Sequence, residues 1–444
     1  MYRNETALIP VSDSSDSPSS RNIVVAVVAS TFFVGFGGGV VFPILPNLGE
    51  VLGISAFVVG LILSANRWTR LVANAPAGVL IDRIGTRKPF VVGLAIEGVA
   101  TFGYVLAIYA SRPDTVLGTL VGFVSPSPEV WFMVARILWG LGSALVFATA
   151  YTITADVSEA DSRGTSMGVV RAGITFGFPA GLVLGGIVSE LYSNSAAFIL
   201  AAGFAALASV IAYLVVPETH VEGHDSSVKP WDLEITIPAI TVGLVNFGLY
   251  FAYVGVLFST LVLYLGDASL TISTAVFGYG IEYGEQGTSG LLMAITVLMG
   301  AVFTISGGVV SDSVGARVPV LVGFLLINCL GFVVLALAGS FVTVVVGCAL
   351  IGAGQGGVSG PLTALLADLT PEDRMGRAMG TNNVLGDVGG GLGPLVSLPL
   401  VGIIGFPIMY TVSAAIALGA GLVLVVGVYY HTGHVSPDVA DALE

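Results

Sequence analysis

Long apolar runs separated by short polar segments form the main pattern of this chain. Each run can form a helix that crosses a bilayer, which takes about 20 apolar residues. The runs are too long and too uniformly apolar for the alternating strands of a β-barrel. The pattern therefore predicts an all-α membrane protein with twelve spanning helices. These lie at about residues 22–43, 54–80, 89–110, 129–152, 165–189, 195–216, 236–265, 287–310, 318–338, 341–366, 378–400 and 405–430.

Two internal repeats divide the chain into halves. GVLIDRIGTR at 78–87 recurs as GVVSDSVGAR at 308–317, and ADVSEADSRGTSMG at 155–168 recurs as ADLTPEDRMGRAMG at 367–380. Parallel repeats of this kind are typical of transporters with a binding site between the halves. The predicted organisation is a disordered N-terminal tail, a six-helix bundle, a central loop, a second pseudo-symmetric six-helix bundle and a C-terminal tail. Their respective ranges are 1–21, 22–216, 217–234, 235–430 and 431–444.

The composition supports a membrane protein with acidic aqueous surfaces. Hydrophobic residues make up 55% of the chain and charged residues 10%, against about 25% charged residues in soluble domains. The formal net charge of −13 argues against nucleic-acid binding, which needs a basic face. Two lysines stand against 28 acidic residues, a bias that we interpret as adaptation to high salt in a prokaryote.

The distribution of basic residues predicts the orientation. With the N-terminus inside, one external basic residue, Arg112, stands against ten cytoplasmic ones. The positive-inside rule then places both termini in the cytoplasm of a multi-pass protein of the plasma membrane. The ten are Arg3, Arg21, Arg83, Arg87, Lys88, Arg163, Lys229, Arg317, Arg374 and Arg377.

The loop after the second helix carries the most specific motif. Its elements are Gly78, Asp82, Arg83, Gly85 and Arg87, followed by Lys88. Glycines permit a tight reversal, and an acidic side chain can face a helix N-terminus or an arginine of the other half. The motif resembles the signature loop of the major facilitator superfamily, with a degenerate copy containing Asp312 and Arg317. The resemblance implies a conformational latch, a set of contacts that stabilises one conformation, although its cations also serve topology.

Other helices extend the resemblance over essentially the whole chain. The fourth helix contains Arg136, Gly140 and Gly142, and Asp156 near its end resembles the family's partner for the signature-loop arginine. A structural salt bridge is the simpler interpretation of Asp156.

The glycine pattern of the fifth helix is similar to the antiporter motif of the family, with Leu182 where that motif expects proline. A stripe of helix-packing residues explains the same glycines. The packing set in the fifth and eleventh helices is Gly177, Gly181, Gly185, Gly389, Gly393 and Pro394.

The family resemblance implies a secondary transporter that works by alternating access, and its drug and metabolite efflux branch fits best. It implies a monomer in the lipid bilayer that binds a small-molecule substrate and H⁺. By the same resemblance, we expect that the protein is not an enzyme and does not bind nucleic acid. The chain shows no Walker loop, and the sequence predicts no cofactor and no metal site. A membrane sensor that keeps the fold without transporting is the third function class.

Ionisable residues inside the apolar runs indicate the site, because such residues face a cavity or a partner. Arg67, Arg70 and Asn74 share one face of the second helix, and Asn383 and Asp387 share one face of the eleventh. The predicted substrate and proton pathway comprises Arg67, Arg70, Glu97, Arg136, Arg171, Asn246, Tyr250, Gln355, Asn383 and Asp387. Phe32, Phe36 and Tyr253 are further candidates for the cavity wall.

Three interpretations of these charges remain open. In the first, Asp387 carries a proton in exchange for an outgoing small organic or hydrophobic compound. In the second, the arginines bind an organic or inorganic anion, since guanidinium pairs bidentately with carboxylate or phosphate. In the third, Glu97 pairs with an arginine for stability and the other arginines extend to the membrane interfaces.

Overall fold

The computed structural model describes residues 20–158, 163–219, 233–270, 272–276 and 279–436. Residues 437–444 of the predicted C-terminal tail, most of the N-terminal tail and most of the central loop lie outside these residues. The described α-helices are α1 (Ser20–Val51), α2 (Ala56–Ile84), α3 (Arg87–Ala110), α4 (Val116–Val124), α5 (Pro128–Val157), α6 (Arg163–Leu191), α7 (Asn194–Val215), α8 (Ile237–Tyr250), α9 (Phe258–Asp267), α10 (Glu285–Val314), α11 (Arg317–Ala336), α12 (Phe341–Asp368), α13 (Met375–Ile404) and α14 (Phe406–Thr432).

Twelve long helices account for the membrane-spanning part of the described chain. Eleven are long and apolar enough to cross a bilayer by length and composition. One of these is continuous from α8 through a π-helical segment, Phe251–Leu257, into α9. The twelfth is α2, whose 29 residues include Arg67 and Arg70. The prediction of an all-α protein with twelve spanning helices is confirmed.

Packing groups the helices into two bundles of six spanning helices. In the first half α1 packs on α6, and α3 packs on α5 and α7. In the second half α12 packs on α10 and α11, and α13 packs on α8. The halves meet where α2 packs on α13, α6 on α10, and α1 on α9 and α10.

The two ends of the bundle differ in how closely the halves approach. We call the end where α1 begins, at Ser20, the terminal side. The other end is called the hairpin side, because a β-hairpin between α9 and α10 lies there. Near the hairpin side a Cβ added at Gly60 would lie 2.5 Å from the carbonyl oxygen of Pro394. A Cβ at Gly186 would lie 2.5 Å from that of Gln286. Backbone-to-backbone packing therefore holds the halves together toward the hairpin side.

Two elements between the long helices refine the predicted loops. The segment between α3 and α5 contains a further short helix, α4. The polar segment 266–286 contains an antiparallel hairpin of β1 (Ile272–Val276) and β2 (Tyr279–Tyr283). Several helices also extend beyond their apolar runs. For example, α1 continues to Val51 through Pro43 and Pro46.

The α1–α6 contact explains three of the packing glycines. Gly177, Gly181 and Gly185 face α1, where added Cβ atoms would overlap Phe32, Phe36 and Val40. At the first two positions the obstacle is a carbonyl oxygen, which a side-chain rotation cannot move aside. The helices α1 and α6 are therefore closer together than they could be if these three positions carried a side chain.

We expect Gly177→Ala to destabilise the protein by about 1–3 kcal/mol, the usual cost of an overpacked contact. The matched control is Gly203→Ala in α7, where an added Cβ has no heavy atom within 4 Å. Thermal unfolding of the purified protein in detergent compares the two variants. Equal melting temperatures for both would contradict the close packing of α1 on α6.

Candidate functional site

An ion-pair cluster joins the two halves near the middle of the membrane. Arg67 and Arg70 lie one turn apart on α2, and Asp387 lies on α13. Arg67 Nη1 donates to Asp387 Oδ1 at 3.0 Å, and Arg70 Nη2 donates to the same oxygen at 2.7 Å. The side chains are 18%, 24% and 17% exposed, respectively. The sequence placed these residues on two helical faces, and the fold brings the faces together.

Glycines of α13 make room for this cluster. A Cβ at Gly390 would lie 3.0 Å from the guanidinium carbon of Arg67, and one at Gly391 would lie 3.1 Å from the indole of Trp68. The hydroxyl of Ser64 donates to the carbonyl oxygen of Gly391, which further ties α2 to α13. The GDVGGG segment thus lets the arginines of one half reach the carboxylate of the other.

A polar cavity of about 450 Å³ surrounds the ion pairs. Asn74 and Asn383 line it on the terminal side of the cluster, and both are exposed. Asn246 also lines it and donates to the carbonyl oxygen of Asn382 at 3.2 Å. Because the halves pack closely toward the hairpin side, the polar cavity faces the terminal side. Its walls are Arg67, Arg70, Asn74, Phe147, Asn246, Tyr250, Asn383, Gly386 and Asp387.

Seven aromatic residues line an adjoining cavity of about 320 Å³. Phe42, Phe178 and Phe258 form a cluster whose ring centroids are 5.6–6.0 Å apart. Tyr253 packs on Phe258 with ring centroids 4.8 Å apart. Arg67, Arg70, Phe147 and Tyr250 belong to both cavities, so charged and aromatic surfaces form one continuous wall.

The π-helical segment supplies part of this wall. It carries Tyr253, and its residue Gly255 packs directly on Gly393 of α13. Ser397 donates to the carbonyl oxygen of Gly255 at 2.8 Å, which satisfies a backbone acceptor in the irregular segment. π-helical turns occur frequently at functional sites. Gly389 likewise faces α8, where a Cβ would overlap the carbonyl oxygen of Phe247.

Arg136 is 2% exposed and is held by backbone groups. It donates to the carbonyl oxygens of Ile62 at 3.2 Å and Leu63 at 2.9 Å, and to Asn66 Oδ1 at 2.8 Å. All three acceptors lie on α2. Gly140, one turn further along α5, faces Asn66 of the same helix. Arg136 also lines the aromatic cavity, and it thereby links α5 to the helix that carries Arg67 and Arg70.

Glu97 lies inside the first half at 1% exposure. A Cβ on Gly142 of α5 would lie 2.8 Å from its Cγ. Neither carboxyl oxygen has a hydrogen-bond partner among the described residues. The interpretation in which Glu97 pairs with an arginine is therefore wrong for this conformation, because Arg136 satisfies its donors on α2 instead.

The two copies of the signature loop make different contacts. In the second half Arg317 pairs with Asp312 and, at 3.0 Å, with Asp368, the repeat equivalent of Asp156. In the first half Arg87 donates to the carbonyl oxygen of Tyr213 at 2.6 Å. Asp156 accepts from the hydroxyl of Thr219 at 2.9 Å. Asp156 thus binds Thr219 of the central loop, which we also call the linker. The salt bridge that was expected of Asp156 occurs at its counterpart, Asp368.

The remaining loop residues surround this linker contact. Gly78, Asp82 and Arg83 lie in the last two turns of α2, where Asp82 and Arg83 are exposed, and Gly85 follows the end of this helix. Gly85 has a φ of 88°, which favours glycine, and a Cβ there would lie 2.5 Å from Glu218. The carboxylate of Glu218 accepts from the backbone N–H of Thr86 at 2.7 Å, so the linker caps the start of α3.

Several predicted residues lie away from the two cavities. Arg171 is exposed on α6, Gln355 has a buried side-chain oxygen in α12, and Phe36 packs on Phe204.

Sequence reasoning missed Asn66, Phe42, Phe147, Trp139, Phe178 and Phe258 as wall residues. A polar signal existed for Asn66, which precedes Arg67 in an apolar run. The aromatic residues gave none, because aromatic side chains are equally common in cores and at membrane interfaces.

Comparisons with known proteins agree with the fold and the repeat. The sequence is 25% identical to an uncharacterised MFS-type transporter of Methanocaldococcus jannaschii over 408 residues, covering 91% of this chain and 97% of that protein. It is 24% identical to the quinolone resistance protein NorA of Staphylococcus aureus over 406 residues, covering 89% and 94%.

A solved structure shows the same architecture. The crystal structure of a bacterial homologue of the human lysosomal transporter Spinster, in an inward-facing and occupied conformation, superposes with a TM-score of 0.67. The alignment has 14% sequence identity and covers 94% of this chain and 97% of that one. The Major Facilitator Superfamily profile matches residues 27–281 and 256–442. Two matches of this extent, one over each half, show that the chain is a multi-pass membrane transporter of the Major Facilitator Superfamily.

Proposed function

We propose that this transporter exports small organic, hydrophobic compounds in exchange for protons by alternating access. One observation carries the proposal: Asp387 of one half pairs with Arg67 and Arg70 of the other, beside a cavity with aromatic walls. The ion pairs supply a group that can bind a proton, and the aromatic wall supplies a surface for an apolar solute.

The proton is expected to act by changing the contact between the halves. Ionised Asp387 accepts from both arginines and stabilises the conformation in which α2 and α13 approach. A proton on Asp387 removes its charge and weakens both pairs. A ligand or proton that binds two conformations unequally shifts their populations. Protonation of Asp387 therefore favours separation of the halves, which is the step that alternating access requires.

The aromatic wall supports a hydrophobic solute. Phe42, Phe178, Phe258 and Tyr253 present ring faces and edges at the cavity, and aromatic side chains bury large apolar areas. The relatives named above include a quinolone resistance protein, which agrees with efflux of an organic compound. The distribution of basic residues supports a plasma-membrane protein with the terminal side in the cytoplasm, so the cavities face the cytoplasm in this conformation.

Transport or exchange of an anion is the alternative, and the charge of the cavity favours it. Two arginines face one carboxylate, which leaves one formal positive charge at the site. An incoming carboxylate or phosphate group can pair with the arginine that Asp387 releases. The two functions differ in which charge the solute carries and in whether a proton crosses the membrane with it.

Purified protein in liposomes distinguishes them. Under an imposed pH gradient, we expect accumulation of lipophilic cationic or neutral dyes inside the vesicles and no accumulation of inorganic phosphate or small carboxylates. Phe178→Ala is expected to lower the apparent affinity for the dye by roughly tenfold, since loss of a buried aromatic contact costs at least 1.4 kcal/mol.

Phe176→Ala is the matched control, because Phe176 lies on the same helix with 57% exposure. Equal effects of the two substitutions would show that the aromatic cavity does not bind the solute. Anion accumulation driven by the membrane voltage, with no movement of protons, would favour the alternative function.

A further inference from the structure

We propose that Glu97 is a second proton-binding site, separate from Asp387, and that its charge acts on the cavity through Arg136 and α2. The proposal deepens the proposed function, since it assigns a second group to proton coupling. It rests on the burial of Glu97 and on a line of polar groups that leads from it to the ion pairs.

The surroundings of Glu97 stabilise a carboxyl group that holds a proton. The side chain is buried against Gly142, and both of its oxygens lack a hydrogen-bond partner among the described residues. An ionised carboxylate without a partner costs far more to bury than a neutral carboxylic acid. The conformation described here therefore fits the proton-bound form.

The helices that pack at this part of the first half share an apolar core. Leu94 on α3, Trp139 and Val146 on α5, and Val34 on α1 belong to the same buried cluster. The helix α7 faces Gly98 with alanines. The short helix α4, which also contacts α3, has no titratable side chain. This environment explains why Glu97 needs either a proton or a partner that another conformation provides.

Two polar residues connect Glu97 to the cavity. Tyr104 lies two turns along α3, with its hydroxyl buried, and is close enough to interact electrostatically with both Glu97 and Arg136. Arg136 in turn interacts electrostatically with Arg67. Electrostatic contacts thus run from Glu97 to Tyr104 on α3, from Tyr104 to Arg136 on α5, and from Arg136 to Arg67 on α2.

This line gives the charge of Glu97 a mechanical consequence. When Glu97 loses its proton, the negative charge attracts the guanidinium of Arg136. In the conformation described here, Arg136 donates to the carbonyl oxygens of Ile62 and Leu63 and to the side chain of Asn66, all on α2. Attraction toward Glu97 would weaken these hydrogen bonds. Weaker contacts there release α2, the helix whose arginines pair with Asp387. The two proton sites are thus coupled through one helix.

The test compares Glu97→Gln with wild type in liposomes. Glutamine has nearly the same shape as the neutral acid and binds no proton, so this variant removes the proposed proton site with little change in packing. The number of protons moved per substrate, measured with a pH-sensitive dye, is expected to fall by one. Glu372→Gln, at an exposed carboxylate, is the control and is expected to keep the wild-type ratio. An unchanged ratio in Glu97→Gln overturns the proposal.

A second measurement needs no transport and no known substrate. Infrared spectra of wild type at neutral pH are expected to show the carbonyl stretch of a protonated carboxylic acid, and Glu97→Gln is expected to lose it. If this band is identical in both proteins, Glu97 holds no proton and the proposal fails. A wild-type protein that shows the Glu97 band but moves no protons would contradict the proposed proton exchange while leaving the assignment of the proton to Glu97 intact.

Discussion

Asp387→Asn is expected to abolish proton-driven transport while substrate-for-substrate exchange continues. Asparagine can still accept a hydrogen bond from Arg67 or Arg70, but it binds no proton and carries no charge. The change leaves both guanidinium groups without their counter-ion in a site that is about one-fifth exposed. Because no proton binds at this position in the variant, we expect proton-driven accumulation to fall to the level of protein-free liposomes.

Asp373→Asn is the control for this experiment. Asp373 is 77% exposed on the terminal side, and its contact with Arg374 is long, at 4.0 Å. We expect that variant to transport like wild type. The measurement is dye accumulation and proton flux in the same liposomes, with thermal unfolding to verify the fold. Proton flux of wild-type size in Asp387→Asn would remove Asp387 as the proton carrier.

The double substitution Arg67→Ala with Arg70→Ala is expected to have a larger effect than the two single substitutions predict by addition. Both arginines donate to the same oxygen of Asp387, so either one alone keeps a bond across the halves. Hydrogen bonds to charged groups contribute about 1.5–3 kcal/mol each. We expect a loss of transport rate of less than tenfold for each single variant. The double variant is expected to lose roughly 100-fold.

Arg112→Ala is the control, because Arg112 lies in a loop on the hairpin side beside Tyr109, away from the cavities. A four-way comparison of wild type, both single variants and the double variant measures the coupling energy directly. Strict additivity would show that the arginines act independently. Persistence of anion uptake in the double variant would exclude the alternative in which the arginines bind the solute.

The fold and the repeat could be predicted from the sequence, because they depend on local properties of the chain. A membrane-spanning helix needs only a sufficient length of apolar residues, so each of the predicted helices has a counterpart in the structure. α2 is the informative case: its arginines lower its hydropathy, yet its length and its place in the repeat still identified it. The same local reasoning placed Arg67 with Arg70, and Asn383 with Asp387, on shared helical faces.

The partners of the buried charges could not be predicted, because a partner is a property of two helices and of the distance between them. Formal charge suggested that Glu97 would pair with an arginine. Arg136 instead uses carbonyl oxygens and an asparagine of α2, which the sequence does not mark as acceptors. In the same way, a salt bridge was expected at Asp156, but Asp156 accepts from the hydroxyl of Thr219, and the salt bridge occurs at its repeat equivalent, Asp368.

A twelve-helix protein of two related halves, with ionisable residues inside the membrane, therefore follows from the order of residues alone. Hydrophobicity and helical periodicity act within a single segment, and both can be counted along the chain. The packing of the helices against one another determines that Asp387 contacts two arginines and that Glu97 contacts none among the described residues. The first outcome depends on glycines that bring the backbones of α2 and α13 together, and the second depends on Arg136, which donates to α2.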